Sequence, residues 1–256
     1  MPFPSDPLFY AAGLVATFVM AMAKGAFGGG LAIIGIPILA LAAPPLDAAI
    51  IVAPLITFMD VFAVGAFGPK HWSIPDLKWL LPALVVGIGL GWLMFVAVDS
   101  RWVTLVISVV TLGFTAHYFL KGRSAPPSNA PTSPPLAIAA GLASGFTTFV
   151  AHAGGPPIAM YLLRRGLDKT KFAATNVAVF MAGNLVKLVP YAILGLARPH
   201  ALWAALALSP IVPVGVYAGR ALHDRLTRET LFFWCYLFLG VAALKLLIDT
   251  VRALMV

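Results

Sequence analysis

Cysteine occurs once in this chain, at position 235, so no intrachain disulfide can form and no metal or redox site can be built from paired thiols. Cys235 reads as a small apolar residue of the last apolar run. Charge is also scarce, at 10% of the 256 residues against 61% hydrophobic ones. A soluble domain of this length cannot bury that much apolar surface, which makes the chain an integral membrane protein. No ten-residue alternation of apolar and polar positions signals a barrel, whereas several apolar runs reach the roughly 20 residues a helix needs to cross about 30 Å of hydrocarbon. The expected fold class is all-α, a polytopic helical bundle in the lipid bilayer. Acidic residues are outnumbered by Lys and Arg, 9 to 17, for a formal net charge of +8. Most of these basic residues fall in short loops between apolar runs, which is a topology signal and implies no nucleic-acid partner. HExxH, GxSxG and paired acids are absent, which argues against a membrane-embedded enzyme, a metal site or a cofactor. Residues 1–7 hold Asp6 and no Lys or Arg. That does not fit a cleaved signal peptide, so the first helix is expected to be retained.

What the chain does have is glycine at membrane depth. Lys24-Gly25-Ala26-Phe27-Gly28-Gly29-Gly30 interrupts the apolar run from Leu8 to Ala43, and Ala151-His152-Ala153-Gly154-Gly155-Pro156-Pro157 interrupts the one from Leu136 to Leu163. Consecutive glycines weaken a helix, so irregular backbone is expected at both places, and such backbone needs protein or water around it. The two places are equivalent. Shifting the sequence by 128 lays PLFYAAGLVATF (from Pro7) on PLAIAAGLASGF (from Pro135) with seven of twelve positions identical, and also superposes Pro82 on Pro210, Gly87 on Gly215 and Gly91 on Gly219. An internal duplication follows.

Each repeat reads as a broken, re-entrant-like helical hairpin followed by three transmembrane helices. Repeat 1 spans 1–123, with runs near 46–68, 77–98 and 102–120; repeat 2 spans 136–256, with runs near 172–197, 200–219 and 230–250. A Pro/Ser-rich cytoplasmic linker, 124–135, joins them and is expected to be the most mobile loop. If each broken segment returns to the side it entered, one face collects Lys70, Lys78, Lys121, Arg123, Arg164, Arg165, Lys169, Lys171, Arg220, Arg225 and Arg228. The other face then keeps only Arg101, Arg198 and Arg252. A single crossing would leave almost no bias, so the positive-inside rule favours returning hairpins, inverted repeats and both termini outside the cytoplasm.

Ionisable groups inside apolar runs cost about 2.5–3.5 kcal/mol each at a helix centre, and each needs a reason. Lys24, Asp60, His117, His152 and Lys187 are the notable ones. The shift of 128 puts Lys24 on His152 and Lys187 one position from Asp60. The expected substrate site is an anion held near the midplane by helix N-termini and backbone N–H groups at the breaks. Its candidate residues are Lys24, Gly28, Gly29, Gly30, His152, Gly154, Gly155 and Pro156, with Asn176 and Asn184 as further donors. Pro157 suits an early helical position, where its missing N–H forfeits no helix bond. Asp60 and Lys187 are candidates for proton coupling or charge pairing. The alternatives are that the glycines only allow close packing, and that the asparagines only bond between helices. His117 reads as interfacial, near Lys121. The pairs Gly87/Gly91 and Gly215/Gly219 read as packing motifs.

KGAFGGGLAIIGIP from Lys24, HAGGPPIAMYL from His152 and the repeated four-run layout resemble the sulfite exporter TauE/SafE family, also called the 4-toluene sulfonate uptake permease family, over essentially the whole chain. The resemblance implies secondary-active transport of small sulfur-containing anions such as sulfite, organosulfonates or related oxyanions across the cytoplasmic (inner) membrane, with protons as the coupling ion. Pro156-Pro157 follows Gly154-Gly155 where repeat 1 has the glycine run Gly28-Gly29-Gly30, so the two half-sites are not chemically equal. A passive anion channel is the alternative reading, with a membrane-embedded enzyme using His152 and Ser144 behind it. A purely structural membrane protein leaves the recurring charges unexplained.

Overall fold

The computed structural model describes residues 7–29, 39, 45–94, 99–120, 130–150, 154–193 and 199–255, and among these every regular element is helical. In chain order they are α1 (Pro7–Phe27), α2 (Pro45–Phe67), a short 3-10 turn (Pro69–His71), α3 (Ile74–Met94) and α4 (Ser100–Leu120). Then follow α5 (Pro134–Val150), α6 (Gly155–Arg165), α7 (Lys169–Ile193), α8 (Pro199–Leu208), α9 (Ile211–Arg225) and α10 (Arg228–Met255). Five of these, α1, α3, α4, α7 and α10, are long and apolar enough to cross a membrane, and α8 with α9 makes a sixth candidate bent by 51°. A polytopic helical membrane protein is the architecture. The mobility expected of the linker concerns residues 121–129, outside the described ones, and α5 begins at Pro134, inside the expected linker.

The bend departs from the single run expected over 200–219. Pro210 has no N–H and disfavours helical geometry at Ser209, and the Ser209 hydroxyl donates to Leu206 O at 2.8 Å in place of a helix bond. Pro54, Pro82 and Pro190 lie inside continuous helices. Pro82, the counterpart of Pro210, lacks a serine before it.

Packing pairs the helices in a fixed pattern: α1 lies against α9, α3 against α5, α2 against α7 and α4 against α10. Glycine makes the first two pairs possible. A Cβ on Gly219 would come within 2.1 Å of Met22 O, one on Gly87 within 2.3 Å of Leu142 O, and one on Gly145 within 2.2 Å of Leu84 O. These backbones touch, so the two GxxxG pairs are packing devices.

The second broken segment turns back on itself. Ala130 N–H, just before α5, donates to Arg165 O at the end of α6 at 3.0 Å. Asp76, at the start of α3, ties the same place together: it accepts from Arg165 Nε (2.8 Å), Tyr161 Oη (2.5 Å), Ser73 Oγ (2.6 Å) and Thr132 Oγ1 (3.2 Å). Ser73 N–H in turn donates to Thr175 Oγ1 of α7 at 2.9 Å. Lys169 caps α9 by donating to the carbonyls of His223, Asp224 and Leu226. The loops carrying Lys70, Arg165, Lys169, Arg225 and Arg228 thus gather at one end of the bundle. Arg101, which bonds Ala253 O at 3.1 Å, marks the other end.

Cysteines placed singly at exposed Lys70, Arg225 and Asp99, in a Cys235→Ser background, test this arrangement by impermeant labelling of sealed vesicles. Positions 70 and 225 are expected to react from one side and 99 from the other. Labelling of 70 and 225 from opposite sides would contradict it.

Candidate functional site

The first break begins where α1 ends. Gly28 N–H caps the helix by donating to Lys24 O at 2.9 Å, and Gly28 and Gly29 have φ of 80° and 107°, in the left-handed region that favours glycine. A Cβ on Gly28 would lie 2.3 Å from Ala173 O, and one on Gly29 3.1 Å from the Phe180 ring. Glycine is therefore required here by the backbone conformation and by contact with α7. Asn176, also on α7, donates from Nδ2 to Gly29 O at 3.3 Å, while its buried Oδ1 has no partner.

The ion pair beside this break is the most costly feature of the interior. Lys24 Nζ lies 2.6 Å from Asp60 Oδ1 with side chains only 2% and 0% exposed, and it also donates to Ile56 O at 3.3 Å. Asp60 Oδ2 accepts from Asn184 Nδ2 of α7 at 2.7 Å. Lys24 of α1 thus has its partner on α2, and that partner has a support on α7.

The second break lies between α5 and α6. Gly154 precedes α6 and is buried; its carbonyl accepts from Ser144 Oγ at 2.7 Å, which commits that serine to holding the break. α6 starts at Gly155, with Pro156 and Pro157 buried in its first turn. Two of the four free N–H positions at this helix start are therefore empty, leaving Gly154 and Gly155 as donors. Near this break, Lys187 Nζ donates to Thr148 Oγ1 of α5 at 3.0 Å. Lys187 is partly accessible, unlike Lys24. His152 and Gly30, both candidates from the sequence, lie outside the described residues.

The structure brings Lys24, Asp60 and Asn184 into one hydrogen-bonded group and sets Asn176 against Gly29 and Lys187 against Thr148. Asn176, Phe180, Asn184 and Lys187 follow the spacing of a single helix face, so α7 presents one stripe toward both breaks. The eleven steps from Asn176 to Lys187 amount to about 16 Å along the axis, so Gly29 and Thr148 meet α7 at different depths. Sequence reasoning missed Thr148, for which a hydroxyl shortly before the second break was the signal. It also missed the Asp76 cluster, signalled by an acid in the first turn of an apolar helix. The exposed Lys245–Asp249 pair on α10 is an ordinary i,i+4 contact.

A family model described as sulfite exporter TauE/SafE matches residues 12–246. The chain belongs to the sulfite exporter TauE/SafE family. The matched residues include both breaks and the α7 stripe. Comparison with curated proteins and with solved structures gave no match.

Breaking a buried ion pair leaves one charge uncompensated, which costs about 3–5 kcal/mol, whereas replacing both partners with apolar groups costs far less. Lys24→Met and Asp60→Asn are each expected to destabilise the protein by that amount, and Lys24→Met/Asp60→Leu to recover most of it. Thermal unfolding in detergent measures this; additive losses in the double variant would contradict it.

Proposed function

We propose that the chain is a secondary-active, proton-coupled carrier of small sulfur-containing oxyanions across the cytoplasmic membrane, built from two inverted repeats. The observation that carries the reading is the charge balance of the interior. Lys24, Lys187 and Asp60 sum to a formal +1, and Lys187 is the cation that no carboxylate pairs with among the described residues. A small anion supplies the missing charge. Family membership supports sulfite or a related sulfur anion as that species.

Three further observations support the architecture. The shift of 128 relates α1 to α5 and α3 to α8 and α9, and the packing of α1 on α9 and α3 on α5 exchanges under it. α2 packs on α7, and α4 on α10, each against its own counterpart, which is the pattern of a pseudo-two-fold axis. The excess of Lys and Arg at the end holding Lys70 and Arg165 supports a cytoplasmic position for that end and an outside one for the termini.

On this reading the anion moves along the α7 stripe between the breaks. Gly28 and Gly29 with Asn176 form one station; Gly154, Gly155 and Pro156 with Lys187 form the other, and His152 and Gly30 belong to the same two breaks. The unpartnered Asn176 Oδ1 suits an anion that still carries a proton, such as hydrogensulfite. Lys24, Asp60 and Asn184 stand between the stations, and Asp60 couples proton movement through its contact with Lys24. Because Ser144 is engaged with the Gly154 carbonyl, a carrier fits better than a membrane-embedded enzyme.

Flux of labelled sulfite into proteoliposomes tests the proposal. An imposed pH gradient is expected to drive accumulation above the equilibrium level, Lys187→Met to lower flux at least tenfold, a loss of about 1.4 kcal/mol, and Asp60→Asn, at equal folded protein, to flatten the pH dependence. Equilibration without accumulation would identify a passive channel. Wild-type flux in Lys187→Met would move the site elsewhere.

A further inference from the structure

A groove of about 500 Å³ lies between α4, α5 and α6, away from the α7 stripe. Its walls are apolar, with Ile107 and Val110 from α4, Leu136 from α5 and Met160 from α6. Thr111, which also lines it, spends its hydroxyl on Ile107 O at 2.6 Å and offers no free donor. The groove opens sideways onto the lipid-facing surface, where Val110 is 51% and Leu136 48% exposed. Water does not favour such a wall at membrane depth; an acyl chain does.

The polar end of the groove is Arg164 and Arg165, in the last turn of α6. Arg165 directs Nε to Asp76 Oδ1 at 2.8 Å, but its Nη1 is buried with no hydrogen-bond partner. Arg164 is exposed and forms no ion pair among the described residues. Two guanidinium groups against one carboxylate leave a formal +1 at the mouth. A buried guanidinium nitrogen without a partner is costly, and a phosphodiester oxygen would satisfy it in the geometry arginine prefers.

We propose that this groove binds one anionic phospholipid of the cytoplasmic leaflet, its phosphate on Arg164 and Arg165 and an acyl chain along Ile107, Val110, Leu136 and Met160. The chemistry is that of basic pockets between transmembrane helices. The lipid would brace α4 against the α5–α6 hairpin at the point where Asp76 ties that hairpin to α3. Its lining reaches Pro157 in the first turn of α6 but takes in no residue of α7, so the lipid is distinct from an anion held on the α7 stripe.

Native mass spectrometry of the purified protein, equilibrated with phosphatidylglycerol and phosphatidylethanolamine, tests this. The wild type is expected to retain phosphatidylglycerol in preference. Arg164→Gln should weaken its retention about fivefold, the effect of one arginine near a lipid headgroup. Ala140→Trp and Val110→Trp, which fill the groove from opposite walls, should each abolish retention. Lys78→Gln, which removes an exposed lysine at the same end, should leave it unchanged. Equal retention of the two lipids, or wild-type retention in both tryptophan variants, would overturn the proposal. So would an equal loss in Lys78→Gln and Arg164→Gln, which would reduce the effect to diffuse surface charge.

Discussion

The arrangement depends on a single buried ion pair. Lys24 and Asp60 are almost fully withdrawn from solvent. Their attraction can offset desolvation only if geometry is close and the remaining donors and acceptors are engaged. The geometry is close, and contacts that cross the fold add to it: Lys24 brings the end of α1 to α2, and Asp60 reaches Asn184 on α7. The pair therefore fixes where α1 ends relative to α7, and so where Gly28 and Gly29 meet Ala173 and Phe180. The break is held by electrostatics as well as by glycine.

Glycine supplies the other half of the constraint. The close contacts of α1 with α9 and of α3 with α5 put backbone against backbone, which leaves no room for adjustment by side chains. These rigid pairs surround α2 and α7, the helices that carry Asp60, Asn184 and Lys187. In such a frame adjustment is easiest at the α8–α9 bend, where a helix hydrogen bond is already missing. Gly29 and Thr148 meet α7 about 16 Å apart along its axis, with the ion pair between them.

Much of this was legible in the sequence, because its physics is local. Glycine runs at membrane depth announced both breaks, and α1 stops at Phe27 while α6 starts at Gly155. The charges inside apolar runs announced buried polar contacts, since each has to be offset by something. Their partners were not legible: Lys24 and Asp60 are 36 positions apart, and nothing short-range says that they meet. The α7 stripe could have been found from the spacing of Asn176, Asn184 and Lys187 once residues 172–197 were taken as one helix. Asp76 was hidden because an acid after a proline at the start of a helix usually reads as a solvated first turn. Its four partners come from other segments of the chain or from Ser73 just before it, and three of them only the fold supplies. The bend at Ser209 was equally hidden, since Pro82 at the equivalent position leaves α3 intact.

The central claim is that the uncompensated interior charge belongs to Lys187 and is balanced by the transported anion. Calorimetric titration of sulfite into purified protein tests it most directly, comparing wild type, Lys187→Met and Lys24→Met/Asp60→Leu. The double variant removes a neutral pair and keeps the formal +1. Affinity is predicted to stay within about threefold of wild type in the double variant and to fall at least tenfold in Lys187→Met, a difference of about 1.4 kcal/mol or more. Unchanged binding in Lys187→Met together with loss in the double variant would contradict the account and place the anion on the Lys24–Asp60 pair.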